Sequence, residues 1–272
     1  MYKNIGFIGC GNMAKAMISG IVKSGLVPPL NIYGSGGSEE NLKSVKEKYG
    51  ISIKSSNKEV AEAADILVLA VKPNIYASVI EEIKDSIRKD CIIVIIAAGI
   101  TIEFMEKSLN DGAKVVRTMP NTPALVGEGM SAICAGSHVS EEELKWIVEI
   151  FESFGKAEII EEKLMDVIPA VSGSSPAYVY MFIEALADGG VLRGLPRQKA
   201  YKMAAQAVLG AAKMVLETGE HPGKLKDAVC SPGGTTIEAV YTLEKSNFRG
   251  AVISAMESCT EKTINMSEQN KK

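Results

Sequence analysis

Histidine is almost missing from this chain: 272 residues contain two, His138 and His221. A histidine-rich metal centre is thereby excluded, and no metal site is expected. Neither histidine stands in a setting recognisable for a serine–histidine–acid triad. His221 precedes Pro222 and reads as the start of a helix. Cysteine is also sparse. The five (Cys10, Cys91, Cys134, Cys230, Cys259) are scattered, odd in number and never paired as C-x-x-C. That spacing excludes a disulfide framework and a zinc knuckle, and fits reduced thiols. Charge of a single sign is lacking too: the net charge is -3, with both signs spread along the sequence. No basic stripe for nucleic acid and no polybasic patch for a membrane follows. The longest apolar run, CIIVIIAAGI at 91–100, is too short to span a bilayer. The N-terminal MYKNIGFIGCG enters a strand pattern directly, without the features of a secretory leader. A cytoplasmic chain with no nucleic-acid and no membrane partner is the expectation.

What is present is a large apolar fraction, 46%, arranged in two successive patterns. Over the first 160 or so residues, short apolar runs alternate with longer amphipathic ones. IGFI, LNIY, ISIK, ILVLAV, CIIVIIA, KVVRTM and SAICA read as strands. NMAKAMISGIVKSG, SEENLKSVKEKYG, NKEVAEAAD and NIYASVIEEIKDSIRKD read as helices between them, and EEELKWIVEIFESF as another, capped by Ser140. Fully apolar strands alternating with helices predict a parallel sheet covered on both faces. Beyond that point only helical spacing remains, beginning with EKLMDVIPAVSG at 162–173. The later helices carry Ala, Gly and Met on more than one face, which predicts a bundle shared between subunits. The fold class is therefore α/β plus all-α: a Rossmann-like doubly wound sheet over 1–162, then a helical dimerisation bundle over 163–272. The last residues, MSEQNKK, read as a frayed tail.

The first motif is IGFIGCGNMAKAM, in which Gly9, Gly11 and Ala14 form G-x-G-x-x-A between a strand and a helix. The first glycine permits the turn, the second lets a pyrophosphate approach the backbone, and the small third residue lets helix and strand pack closely. The helix N-terminus then faces the anion. A dinucleotide is the expected ligand. NAD binders place an acid at the end of the second strand. Here LNIY runs into GSGGS with no acid and no arginine, only Ser35, Ser38 and glycine backbone. That favours NADPH, with NADH possible.

Other stretches fall at the carboxyl edge of the sheet, where ligands bind. Lys72 and Pro73 close ILVLAVKP; the lysine is either a cofactor contact or a solvated strand end. The small residues of AAGIT, 97–101, would leave room for a nicotinamide ring. MPNTP, 119–123, is a rigid loop that lines the site or simply turns the chain. SGSSPAYVY, 172–180, lacks the G-x-S-x-G arrangement and reads as capping of a helix with proline in its first turn. Finally, SPGGTTIEAV at 231–240 interrupts the helical half with paired glycines and threonines, both poor helix formers.

Together, GFIGCGNMAKAM, LAVKP, AAGIT, MPNTP, SGSSPAY, LADGGV with GLPR, and HPGKLKDAVCSPGGTTIEAVYTLE resemble the pyrroline-5-carboxylate reductase family, in order and across nearly the whole chain. The resemblance implies reduction of the C=N bond of 1-pyrroline-5-carboxylate to proline, with hydride from NADPH or NADH. It also implies a homo-oligomer built from intertwined dimers. Carried over at matching positions, Gly9, Gly11, Asn12 and Met13 would hold the pyrophosphate and Ser35 would face the adenosine ribose or its phosphate. Asn57, Ala70, Val71, Lys72, Pro73 and Ala98 would line the rest of the cofactor cleft. Ser231, Gly233, Gly234, Thr235 and Thr236 would hold the substrate, with Thr236 reaching the imine nitrogen as the catalytic group. Bare amides at the glycine pair and the next helix start would seat the substrate carboxylate. Ser175 and Ala228 depart from the residues many members carry. Glu238 reads first as an acid in a helix's first turn.

Two rivals remain. Hydroxyacid dehydrogenases also join a Rossmann domain to helices, but they use a lysine in the long helix opening the second domain, and PAYVYMFIEALADGG has none. A non-catalytic NADP-binding sensor would have no use for the exposed SPGGTT backbone.

Overall fold

A computed structural model describes residues 3–270. The chain runs β1 (Ile5–Ile8), α1 (Asn12–Ser24), β2 (Ile32–Ser35), α2 (Glu39–Tyr49), β3 (Ser52–Ile53), α3 (Asn57–Ala63), β4 (Ile66–Leu69) and α4 (Tyr76–Ile83). It continues through β5 (Ile92–Ile95), α5 (Ile102–Ser108), β6 (Lys114–Met119), β7 (Gly129–Ala135), α6 (Glu141–Glu152) and β8 (Gly155–Ile159). Helices then follow one another: α7 (Ser175–Leu192), α8 (Arg197–Thr218), α9 (Pro222–Ala228), α10 (Thr235–Lys245) and α11 (Phe248–Gln269).

The eight strands form one sheet in the order β3-β2-β1-β4-β5-β6-β7-β8. From β3 to β6 every pairing is parallel. The order reverses direction around β1, so β1 and β4 flank the crevice where such sheets bind ligands. β1, β4 and β5 are buried at every position. Coverage on both faces explains their uninterrupted apolar sequence.

Several expectations are corrected here. The sheet is not wholly parallel: β7 runs antiparallel to β6, and β8 then pairs parallel with β7. β8 was not expected. It is an edge strand of sequence GKAEI whose Lys156 and Glu158 are exposed, so it lacks the apolar run that marks the inner strands. The LNIY strand begins later, at Ile32, because Pro29–Asn31 form a helical turn. Helix α5 also escaped the pattern; it has seven residues and is announced only by Thr101, whose hydroxyl accepts from the Phe104 amide at 3.1 Å. Residues 162–173 are not one α-helix but two short helical pieces, a 3-10 turn at Glu162–Leu164 and a π-helical segment at Pro169–Gly173.

The chain divides into two compact units: the described residues up to Ser174 together with those from Ser258 onward, and Ser175–Glu257. The first encloses two large apolar clusters on opposite faces of the sheet, one around Phe7, Met17, Ile147 and Phe151, the other around Leu67, Tyr76, Ile93 and Met105. Its α11 portion is not a frayed tail. Ser267 is buried and donates to Asp166 at 2.9 Å, and Asn270 donates to the Gly99 carbonyl at 2.9 Å. Of MSEQNKK, Lys271 and Lys272 lie outside the described residues. In the helical unit α7 packs on α8, with Ala187, Ala200 and Ala204 buried. Large apolar side chains there stay open, including Leu192 and Leu216 at 83% exposure each.

No helix among the described residues is long and apolar enough to cross a membrane.

Candidate active site

The crevice is built from the chain's own turn chemistry. Gly9 follows β1 at φ +94°, and a side-chain carbon there would lie 2.6 Å from the Ala70 carbonyl oxygen. No other residue type can bring β1 and β4 together at this point. Its amide donates to the Ser35 carbonyl at 2.9 Å, which joins the ends of β1 and β2. Gly11 is different. It has ordinary extended backbone and caps α1, yet a carbon added to it would meet nothing within 4 Å. No side chain caps α1 and no acid stands in its first turn. The first amides of this 13-residue helix therefore have no side-chain cap, and the positive end of its dipole lies behind them. Asn12, exposed, and Met13, half-buried, begin the helix, and buried Ala14 permits close packing behind them. An anion is what this arrangement accepts.

Cys10 lies inside the motif but is buried, and burial pushes its thiol up to about 11. It is a packing residue, not a nucleophile.

Around the crevice, Ser35 ends β2 and is buried, its hydroxyl donating to Asn57 Oδ1 at 2.8 Å. Ser38 uses its hydroxyl oxygen to cap α2, accepting from the Asn41 amide at 3.3 Å. Asn41 in turn donates to the Cys10 carbonyl at 2.7 Å and ties α2 to the glycine turn. Asn57 opens α3, half-buried, and its amide nitrogen donates to Glu82 at 2.8 Å. Ala70 and Val71 are half-buried at the end of β4, Lys72 is exposed, and Pro73 starts the turn into α4. This stretch is held from below by buried Tyr76, whose hydroxyl donates to the Leu69 carbonyl at 2.5 Å.

Ala98 follows β5, half-buried. The expectation that the whole AAGIT loop is small to admit a ring needs correcting at Gly99. A side-chain carbon there would come within 2.7 Å of Met266 Cβ, so that glycine makes room for α11. In MPNTP, Asn121 is a buried clasp: it donates to the Ser172 carbonyl at 2.9 Å and accepts from the Met130 amide at 2.9 Å. Both ends of the amide are committed within the chain. Arg117, 4% exposed, meets Asp166 at 2.5 Å and Glu162 at 3.5 Å. Neither clasp was expected, since the partners are far apart in sequence.

The helical unit carries the second glycine feature by itself. Ser231 to Gly234 form a turn with Gly233 at φ +67°. The expectation of bare amides at the glycine pair needs correcting at Gly234, whose amide donates to the Ser231 carbonyl at 3.0 Å. A carbon on Gly234 would lie 2.4 Å from Ser231 Oγ. Gly234 caps α10 with no side-chain bond, so the amides of Thr235, Thr236 and Ile237 begin an uncapped 11-residue helix, and both threonines are exposed. His221 is a capping residue: it precedes α9 and accepts from the Gly223 amide at 3.1 Å.

Comparison with known proteins completes the description. Residues 162–266 match the family described as pyrroline-5-carboxylate reductase dimerisation. Residues 4–99 match the one described as NADP oxidoreductase, coenzyme F420-dependent. The pyrroline-5-carboxylate reductase of Escherichia coli K12 is 52% identical over 98% of this chain and 100% of its own length. That of Methanosarcina acetivorans is 44% identical over 96% of this chain and 97% of its own. The crystal structure of the Plasmodium falciparum pyrroline carboxylate reductase with NADP bound superposes with a TM-score of 0.89 at 37% identity, covering 97% of this chain and 98% of that one.

Proposed function

The chain belongs to the pyrroline-5-carboxylate reductase family, and from that premise we propose that it reduces the C=N bond of 1-pyrroline-5-carboxylate, giving L-proline, with NADPH as preferred cofactor and NADH as a usable one. One observation carries this reading at the level of chemistry. Among the described residues two helices of 13 and 11 residues, α1 and α10, start at a glycine with no side-chain cap. Besides the 2′-phosphate of NADPH, the reaction has two anionic groups to hold: a pyrophosphate and a ring carboxylate.

The residues suit the dinucleotide, since Gly11 leaves open the space that its pyrophosphate needs. Gly9, Gly11, Asn12 and Met13 would hold the pyrophosphate, Ser35 and Asn57 the adenosine ribose, and Ala70, Val71, Lys72, Pro73 and Ala98 the rest. When bound, the cofactor supplies the hydride. The absence of an acid at the end of β2 supports NADPH, because nothing on that strand repels a 2′-phosphate.

Ser231, Gly233, Gly234, Thr235 and Thr236 would seat the substrate. Hydrogen bonds from amides to a carboxylate contribute about 1.5–3 kcal/mol each, so two or three fix the ring's orientation. Thr236 would direct its hydroxyl, or a water on it, to the imine nitrogen and pass the proton. We place the division of labour at 1–162 for cofactor and 163–272 for substrate and dimer contacts, in a cytoplasmic homo-oligomer of intertwined dimers. The open apolar side chains of α7 and α8 support a second copy as their cover.

The test is a spectrophotometric trace. NADPH should be oxidised when pyrroline-5-carboxylate is added and not when a 3-oxo acid is. No oxidation with either, by protein that binds NADPH, overturns the reading.

A further inference from the structure

The acid that NAD-binding sheets carry at the end of β2 is missing here, but a carboxylate reaches the same corner from another element. Asn57 Nδ2 donates to Glu82 Oε2 at 2.8 Å, and Ser35 Oγ donates to Asn57 Oδ1 at 2.8 Å. The corner sits at the glycine turn: a carbon built on Gly36 would lie 3.7 Å from Asn57 Oδ1 and 3.4 Å from the Gly9 amide nitrogen. Glu82 is on α4, exposed, 25 residues from Asn57.

The hydrogen-bond polarity of this chain is dictated by its end member. An ionised carboxylate only accepts, so the Asn57 amide must turn its NH₂ to Glu82 and its oxygen to Ser35. Ser35 must then donate. The hydroxyl proton of Ser35 and one N–H of Asn57 are thereby committed inward. A 2′-phosphate needs donors and finds these two spent, with a negative charge one hydrogen bond away. A 2′-hydroxyl is itself a donor and finds acceptor oxygens on Asn57 and Glu82.

We propose that Glu82 is a positioning residue for cofactor choice: acting through Asn57, it restrains the preference for NADPH and keeps NADH usable. The inference rests on the placement of Ser35 and Asn57 at the adenosine ribose. Glu82→Gln keeps an acceptor for Asn57 but removes the charge, and Glu82→Ala also frees the amide. The Glu82 side chain is exposed, so folding should be unaffected, which a thermal melt checks.

The experiment compares the Kd of NADPH and of NADH, titrated by fluorescence without substrate, together with kcat/KM for each at saturating substrate. The NADPH:NADH ratio should rise by roughly two- to fivefold in Glu82→Gln, as for a screened surface charge, and at least as much in Glu82→Ala. The change should lie in KM for NADPH and shrink as salt is raised. A merely structural role would move both cofactors alike. An unchanged ratio in both variants overturns the inference. Asn57→Ala separates the two layers: it should raise KM for both cofactors. No effect of Asn57→Ala removes the placement on which the inference stands. An effect of Asn57→Ala with an unchanged ratio in the Glu82 variants leaves the placement standing and removes the role of Glu82.

Discussion

Gly11 and Gly234 do the same thing in two unlike regions. Each precedes a long helix that no side chain caps. Of the other helices of the sheet-bearing unit, α2, α3, α5 and α6 are closed by Ser38, Ser56, Thr101 and Ser140, while α4 follows Ile75 without a side-chain cap. The two glycine starts differ in what surrounds them. A carbon on Gly11 would enter empty space; one on Gly234 would strike Ser231 Oγ at 2.4 Å. Nothing among the described residues requires Gly11 to be small. Gly234 has an ordinary φ of -79°, but a carbon there would meet the hydroxyl and carbonyl oxygens of Ser231 in its own turn. The comparison teaches that a bare helix start signals a ligand most clearly where the glycine has no internal reason to be one.

Breaking the cofactor turn itself should have the largest effect. Gly9→Val puts a branched side chain at φ +94° against the Ala70 carbonyl. Stability should fall by about 2–4 kcal/mol, measured by urea denaturation, with NADPH binding lost. Gly11→Val sharpens the contrast. The space is open, so stability should change by only about 1 kcal/mol, the scale of an altered N-cap. NADPH affinity should nevertheless fall by about a hundredfold or more, the loss expected when charged-group hydrogen bonds are blocked. In the other region, Gly234→Val should displace Ser231 and raise KM for pyrroline-5-carboxylate by about tenfold, one lost amide contact, at unchanged NADPH affinity. Thr236→Ala should act later, lowering kcat about tenfold or more and altering its pH profile, while Thr236→Ser restores both. Full turnover of Thr236→Ala at every pH would remove that residue from the proton path.

Much of the sheet was legible because β1, β4 and β5 are buried and apolar throughout and its helices are periodic. The crevice was legible through Gly9, Gly11 and Ala14, whose spacing has a steric reason. What stayed hidden was either solvated, short or distant. β8 alternates Lys156 and Glu158 at an edge, so it shows no apolar run. The reversal of β7 leaves no trace in its own composition, since direction is set by how the chain returns, not by which residues pair. The clasp of Asn121 to Ser172, the Arg117 pair with Asp166 and the Asn57 bond to Glu82 join residues 51, 49 and 25 apart. No local pattern announces such partners. The stretch MSEQNKK read as a frayed tail because it closes the chain, yet Ser267 and Asn270 spend their polarity on Asp166 and Gly99.

The central claim is that the two glycine helix starts divide the work, cofactor at α1 and substrate at α10. The most direct measurement titrates NADPH by fluorescence into the Gly11→Val and Gly234→Val proteins and determines KM for pyrroline-5-carboxylate with Gly234→Val. The account predicts that Gly11→Val loses NADPH affinity while Gly234→Val keeps it and shows only a raised substrate KM. Equal NADPH affinities in the two variants, or an unchanged substrate KM in Gly234→Val, would contradict it.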